Sequence, residues 1–174
     1  WAFRLPSAIA TVAWAHALYQ FCKQHFDQAR ALTCIILFIS CLHINIIGKA
    51  AISDALLNLW ITSSMLSLCN FLLYKEEKYL LIFYCATGLG ILTKGPIALL
   101  IPIATTLLYC IIRQDQEALK TFYYPKGILC LLAISLPWYI CEYIDQGQLF
   151  INGFFLKHNL GRFATPMEKH HGSL

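Results

Sequence analysis

The sequence predicts an all-α fold, a polytopic transmembrane helix bundle with about six membrane runs. Three observations lead there. Of the 174 residues, 59% are hydrophobic and 13% charged, against roughly 25% charged in an ordinary soluble domain, so polar surface is too scarce to coat a globule of this size in water. The apolar residues fall in blocks of near-membrane length, not in the stripes of amphipathic helices. The longest apolar tract, residues 79–112, is interrupted by Lys94-Gly95-Pro96, which predicts a helix break inside the membrane zone.

Taken in order, Leu5–Phe21 is the first run, ~25 Å long as a helix. Arg4 and Trp1 mark one of its interfaces, and Lys23, His25, Asp27 and Arg30 the other. Pro6 suits a first helical turn, where its missing N–H costs nothing. Ala31–Ile47 is expected to cross back as one helix. Ser53 and Asp54 open the third run, Ala55–Tyr74, which closes at Lys75-Glu76-Glu77-Lys78. Tyr79–Thr93 and Ile97–Ile112 are the fourth and fifth runs. A single helix over both would be ~50 Å long, too much for one crossing. Two helices of ~22–24 Å are too short to reach both interfaces, which predicts a turn recessed below the membrane surface. Arg113–Lys120 reads as a polar loop, and Gly127–Ile144 as the sixth run. Residues 1–144 are thus a membrane region, and 145–174 a polar loop on one side of it. The chain opens on Trp1 without a signal-peptide pattern, and is read as a fragment of a longer membrane protein.

Alternating crossings put segments 22–30, 75–78 and 113–126 on one side, and 1–4, 48–54, 94–96 and 145–174 on the other. Seven lysines and arginines fall on the first side and six on the second, so charge counting barely discriminates. The second side's cations stand singly beside special residues, which assigns the first side to the cytoplasm. The net charge of +4 comes without a basic run, which argues against nucleic acid as a partner. The eight cysteines include no Cys-x-x-Cys, and most lie in apolar runs, where they read as small buried hydrophobes. Cys34 and Cys41 are two helical turns apart, too far to bridge.

Lys94 is the leading site candidate. A cation inside an apolar tract is costly unless an anion meets it, and a recessed turn must line a cavity or be buried in protein. The plainer alternative is a lysine that snorkels to the headgroups. Asp54 begins a helix on the same side. Capping and the helix dipole alone explain an aspartate there; a carboxylate that aligns or deprotonates an acceptor is the functional reading. In the tail, Arg162 suits a bidentate phosphate clamp. Glu168, His170 and His171 are potential ligands of a divalent metal, too few to define a zinc pattern; the cofactor stays open. Nucleotide-loop readings of Gly88, Gly90 and Gly95 fail, because Pro96 stands where a P-loop needs lysine and no strand precedes them.

These residues resemble a known family. The stretch Gly88-Leu-Gly-Ile-Leu-Thr-Lys-Gly-Pro-Ile-Ala-Leu-Leu-Ile-Pro is similar to the central motif of bacterial membrane glycosyltransferases related to lipid A aminoarabinose transferase and protein O-mannosyltransferases. Arg4-Leu-Pro-Ser-Ala, Ala51-Ile-Ser-Asp-Ala-Leu, Asn159-Leu-Gly-Arg-Phe and His171-Gly172 resemble further segments of that family in the same order. The resemblance implies a multi-pass protein of the bacterial inner membrane with its active site facing the periplasm. It implies inverting transfer of a sugar from a polyprenyl-phosphate carrier to a lipid or protein acceptor, as in lipid A modification. It implies that Asp54 is an acidic active-site residue, that Lys94 and Arg162 meet the lipid phosphate, and that Asn159 and His171 belong to a site loop. The sequence departs from the family at Ser173-Leu174, which follow His171-Gly172 in place of Gly-Pro. The family's leading acidic residue falls before Trp1, so Asp54 is expected to be a partner to the main base, and the fragment is expected to be inactive alone. A membrane transporter with a broken-helix substrate site is the alternative, and a subunit without chemistry a third; no inverted repeat favours the transporter.

Overall fold

The computed structural model describes residues 2–114 and 116–147. They are helical almost throughout; five of the six apolar runs each fall within one helix, and the run over 31–47 is split at Cys41. A 3-10 turn (Ala2–Arg4) leads into α1 (Leu5–His25). Then come α2 (Gln28–Ser40), α3 (Leu42–Lys49), α4 (Asp54–Tyr74), α5 (Glu77–Lys94) and α6 (Ile97–Arg113). A 3-10 segment (Gln116–Tyr123) and α7 (Pro125–Gln146) complete the order. Two compact units divide at Ile134/Ser135. The first holds α1 to α6 and the start of α7; of the second, only the rest of α7 and Gly147 are described. The helix runs on to Gln146, so the expected boundary at 145 falls inside its last turn.

By length and composition α4 and α7 suffice to cross a membrane, and the bent pair α2–α3 makes a third span if it counts as one. The pair departs from the single crossing expected over 31–47. It bends by 64° at Cys41, which is extended at φ −68°, ψ 119°. No glycine or proline marks the break; side chains hold it. Asn45 Nδ2 donates to the carbonyl of Ile39 at 2.7 Å and, at 3.1 Å, to that of Cys41, which also accepts the Asn45 backbone N–H at 3.2 Å. The Ser40 hydroxyl donates back to Ile36 at 2.7 Å, a bond that bends helices.

Helix α4 is central, packed on α5 along one side and α1 along another. Its first half closes a cluster of Ala10, Ile47, Ala55 and Leu59, with Trp14 and Trp60 against it. Its second half closes Leu68 with Phe83 and Tyr84. Small residues let the backbones approach, as in membrane bundles generally. A Cβ added at Gly90 would lie 2.8 Å from Ala98 Cβ on α6 and 3.5 Å from Trp60 Cβ on α4. At both ends α1 is tied toward α4. The buried Ser7 hydroxyl donates to the Ile52 carbonyl at 2.8 Å, and His25 Nε2 meets Asn70 Oδ1 at 2.7 Å.

The stretch expected as a polar loop over 113–120 is folded against the bundle. Ala118 and Thr121 are buried, and the Tyr84 hydroxyl donates to the Thr121 carbonyl at 2.6 Å. Gly127 lies so close to the Tyr84 ring that a Cβ there would meet it at 2.2 Å. At the neighbouring turn, the hydrogen bond of Lys78 to Glu76 holds the ammonium pKa above its ordinary value. The cysteines correct a second expectation. All eight are free thiols, but only Cys22 is buried, while Cys34, Cys41, Cys69 and Cys141 are exposed. Their apolar runs present them outward, as helices surrounded by lipid do. Cys85 and Cys130 face each other with sulfurs 3.2 Å apart.

Candidate active site

Three helix ends meet at one place: the start of α4, the end of α5 and the start of α6. The sequence forces the α5–α6 turn. Pro96 disfavours helical backbone at the residue before it. Gly95 adopts φ 77°, ψ −151°, a region that only glycine occupies without strain. Its N–H still closes the last turn of α5 onto the Ile91 carbonyl at 2.7 Å. Pro96, at φ −60°, is set for the first turn of α6. Gly95 is buried while Lys94 and Pro96 on either side are exposed. The break thus anchors its middle residue in protein and presents the lysine. A Gly95→Ala substitution is expected to cost about 1–3 kcal/mol in backbone strain and to misdirect Lys94. Thermal unfolding and transfer activity of the full-length protein check both.

Lys94 Nζ donates to Asp54 Oδ1 across 40 positions of sequence. The side chains are 43% and 34% exposed, so the pair is open to a ligand. Each charge sits where a helix favours it: Asp54 in the first turn of α4 and Lys94 in the last turn of α5. The register follows from α5. Gly90 and Lys94 are four apart and share a face, and Gly90 packs against α4 at Trp60. One turn on, the same face brings the ammonium to the beginning of α4.

The expectation that Asp54 and Lys94 lie on one side therefore holds in a stronger form, as direct contact. Ser7 and Gly90 support the site, and nothing local in the sequence marks either of them for that part. Ser7 stands within Arg4-Leu-Pro-Ser-Ala and holds the loop that leads into Asp54. Gly90, part of the Gly88–Pro102 stretch, is the close contact between α5 and α6. Arg162, Asn159 and His171, with Glu168 and His170, lie outside the described residues. Among the described residues no three His, Cys, Asp or Glu side chains gather to hold a metal.

Apolar helices of membrane length, with an acid and a base joined at their ends, define a helical membrane protein with a paired charge site at a helix break. The chain belongs to the dolichyl-phosphate-mannose-protein mannosyltransferase family, which its residues 1–140 match. It is similar to proteins named undecaprenyl phosphate-alpha-4-amino-4-deoxy-L-arabinose arabinosyl transferase. In Aeromonas hydrophila subsp. hydrophila the identity is 29% over 177 residues, covering 97% of this chain and 31% of the relative. In Edwardsiella ictaluri it is 26% over 178 residues, covering 97% and 31%. In Yersinia pestis it is 28% over 151 residues, covering 83% and 26%. The chain thus spans about a third of the length of these relatives. No solved structure matches it.

Proposed function

We propose that the chain is part of an inverting glycosyltransferase that moves a sugar from a polyprenyl-phosphate carrier to a lipid or protein acceptor. We place the reaction on the extracytoplasmic face of a bacterial inner membrane. The observation that carries this reading is the contact of Asp54 and Lys94 at the Gly95-Pro96 break, in a chain of this family. The relatives' names point to an undecaprenyl-phosphate-linked aminoarabinose as donor.

In the reaction, an acceptor oxygen attacks the anomeric carbon from the face opposite the phosphate. The new C–O bond forms as the old one breaks, and the polyprenyl phosphate leaves with the electron pair. Charge grows on that phosphate in the transition state. An ammonium drawn to the phosphate stabilises that growing charge more than it stabilises the bound donor. Lys94 takes this role, with Arg162 as a second cation. The proton lost by an acceptor hydroxyl goes to a carboxylate, which Asp54 supplies or positions. By the family resemblance, Asn159 and His171 are further candidates for contacts to the substrates. The turn at 94–96 is recessed below the membrane surface, where the phosphate end of the carrier meets it while the isoprenoid tail stays in lipid. The family match disfavours the transporter alternative.

Activity is tested with purified full-length protein and a polyprenyl-phosphate-linked sugar: transfer that inverts the anomeric centre is expected, and none from any such donor would overturn the reading. Topology is tested separately. In a cysteine-free background, Lys94→Cys and Arg162→Cys should react with a membrane-impermeant maleimide from the periplasmic side. Labelling from the cytoplasmic side alone would reverse the orientation.

A further inference from the structure

A phosphate that reaches Lys94 must share its ammonium with Asp54 or displace the carboxylate, and in this structure the ammonium meets Asp54. We propose that this ion pair is the first half of a counter-ion exchange: the carrier phosphate takes Lys94 from Asp54, and the released carboxylate then serves the acceptor. The inference rests on the reading of Lys94 as a phosphate cation given above. It adds an order of events, in which donor binding makes the acid available, so the donor enters before the acceptor.

Three features suit the pair to exchange. Both side chains are open, at 43% and 34% exposure, so an anion reaches Lys94 without unpacking the bundle. Each charge keeps a favourable helix end when the pair parts, the carboxylate at the start of α4 and the ammonium at the end of α5. The partners also differ in freedom. Asp54 is a short side chain on a helix whose next residue, Ala55, is fully buried. Lys94 carries its charge on a flexible four-carbon stem, beside a buried glycine that fixes its backbone. The lysine therefore swings, and the carboxylate stays where the acceptor must come.

An internal competitor lowers the apparent affinity of a ligand by the fraction of protein in which the site is free. A half-exposed pair is of modest strength, so removing the competitor should tighten phosphate binding by about two- to fivefold. The test measures binding of undecaprenyl monophosphate to the full-length protein in lipid nanodiscs. Asp54→Asn should bind two- to fivefold tighter, and Lys94→Ala at least tenfold weaker. In the Lys94→Ala background, Asp54→Asn should change nothing, because the exchange has lost its other member. If Lys94→Ala weakens binding but Asp54→Asn does not tighten it, the exchange is wrong and the phosphate role of Lys94 stands. The exchange is equally wrong if Asp54→Asn tightens binding to the same extent without Lys94, since that is general charge repulsion. If Lys94→Ala binds as the parent does, the phosphate role fails and takes the exchange with it. Asp54→Ser, another residue favoured at a helix start, replaces Asn should that variant not fold.

Discussion

Lys94→Ala in the full-length protein abolishes sugar transfer and leaves expression intact: this is the largest effect expected from any single change in the chain. A preorganised charge-stabilising group is worth ~100- to 1000-fold in rate, and the lysine offers a full charge to a leaving phosphate. Stability should barely move. The partner left behind, Asp54, is a third exposed and sits at a helix start that tolerates a carboxylate alone. Transfer assays with the purified variant, paired with its thermal unfolding curve, separate the two effects. Normal turnover would remove Lys94 from the chemistry. Lys94→Arg should also be poorly active. Its planar fork favours a bidentate grip on Asp54, and its bulk must fit beside the buried Gly95.

Gly90→Ala is the second. Its new Cβ would stand 2.8 Å from Ala98 Cβ and 3.5 Å from Trp60 Cβ. Ala98 is 1% exposed, and the obstruction is a Cβ fixed to α6 rather than the far end of a flexible side chain. Helices α5 and α6 must separate, at a cost of about 1–3 kcal/mol for overpacking of this kind. Gly90→Val should aggregate in detergent. Adding Ala98→Gly should recover much of the loss in the Gly90→Ala protein, because the two positions are coupled by one contact. Thermal unfolding of the two single variants and the double variant measures that coupling, and additive losses would show that the contact is not the cause. Activity should fall with stability, since Lys94 lies one turn further along the same face.

The features legible from sequence are those enforced locally. The break at Lys94-Gly95-Pro96 could be read because Gly and Pro each restrict the backbone, and the structure shows both restrictions in use. Asp54 was legible as a helix start because capping and the helix dipole favour an aspartate there. The 64° bend at Cys41 was not, because it rests on Asn45 and Ser40 side chains, which are equally at home in an unbroken helix. The folding of 116–123 was hidden too: a polar composition does not reveal that Ala118 and Thr121 are buried, or that Tyr84 donates to the Thr121 carbonyl. Alternation of crossings placed Asp54 and Lys94 on one side, but their contact depends on Gly90, whose meaning appears only once Ala98 stands opposite. The family resemblance was carried by the Lys-Gly-Pro stretch and matched over most of the chain.

The two ties on α1 bear on how the chain matures during synthesis. Ser7 and His25, near opposite ends of that helix, both wait for acceptors 45 positions later, at Ile52 and Asn70. Neither of these two bonds can form until the ribosome has delivered its acceptor. The first helix therefore gains its final rotational setting late, when Ile52 just before α4 and Asn70 within it have both arrived and fix it at two points ~27 Å apart along its axis. A nascent chain halted before Asn70 should still turn about α1's axis, and one released after it should not.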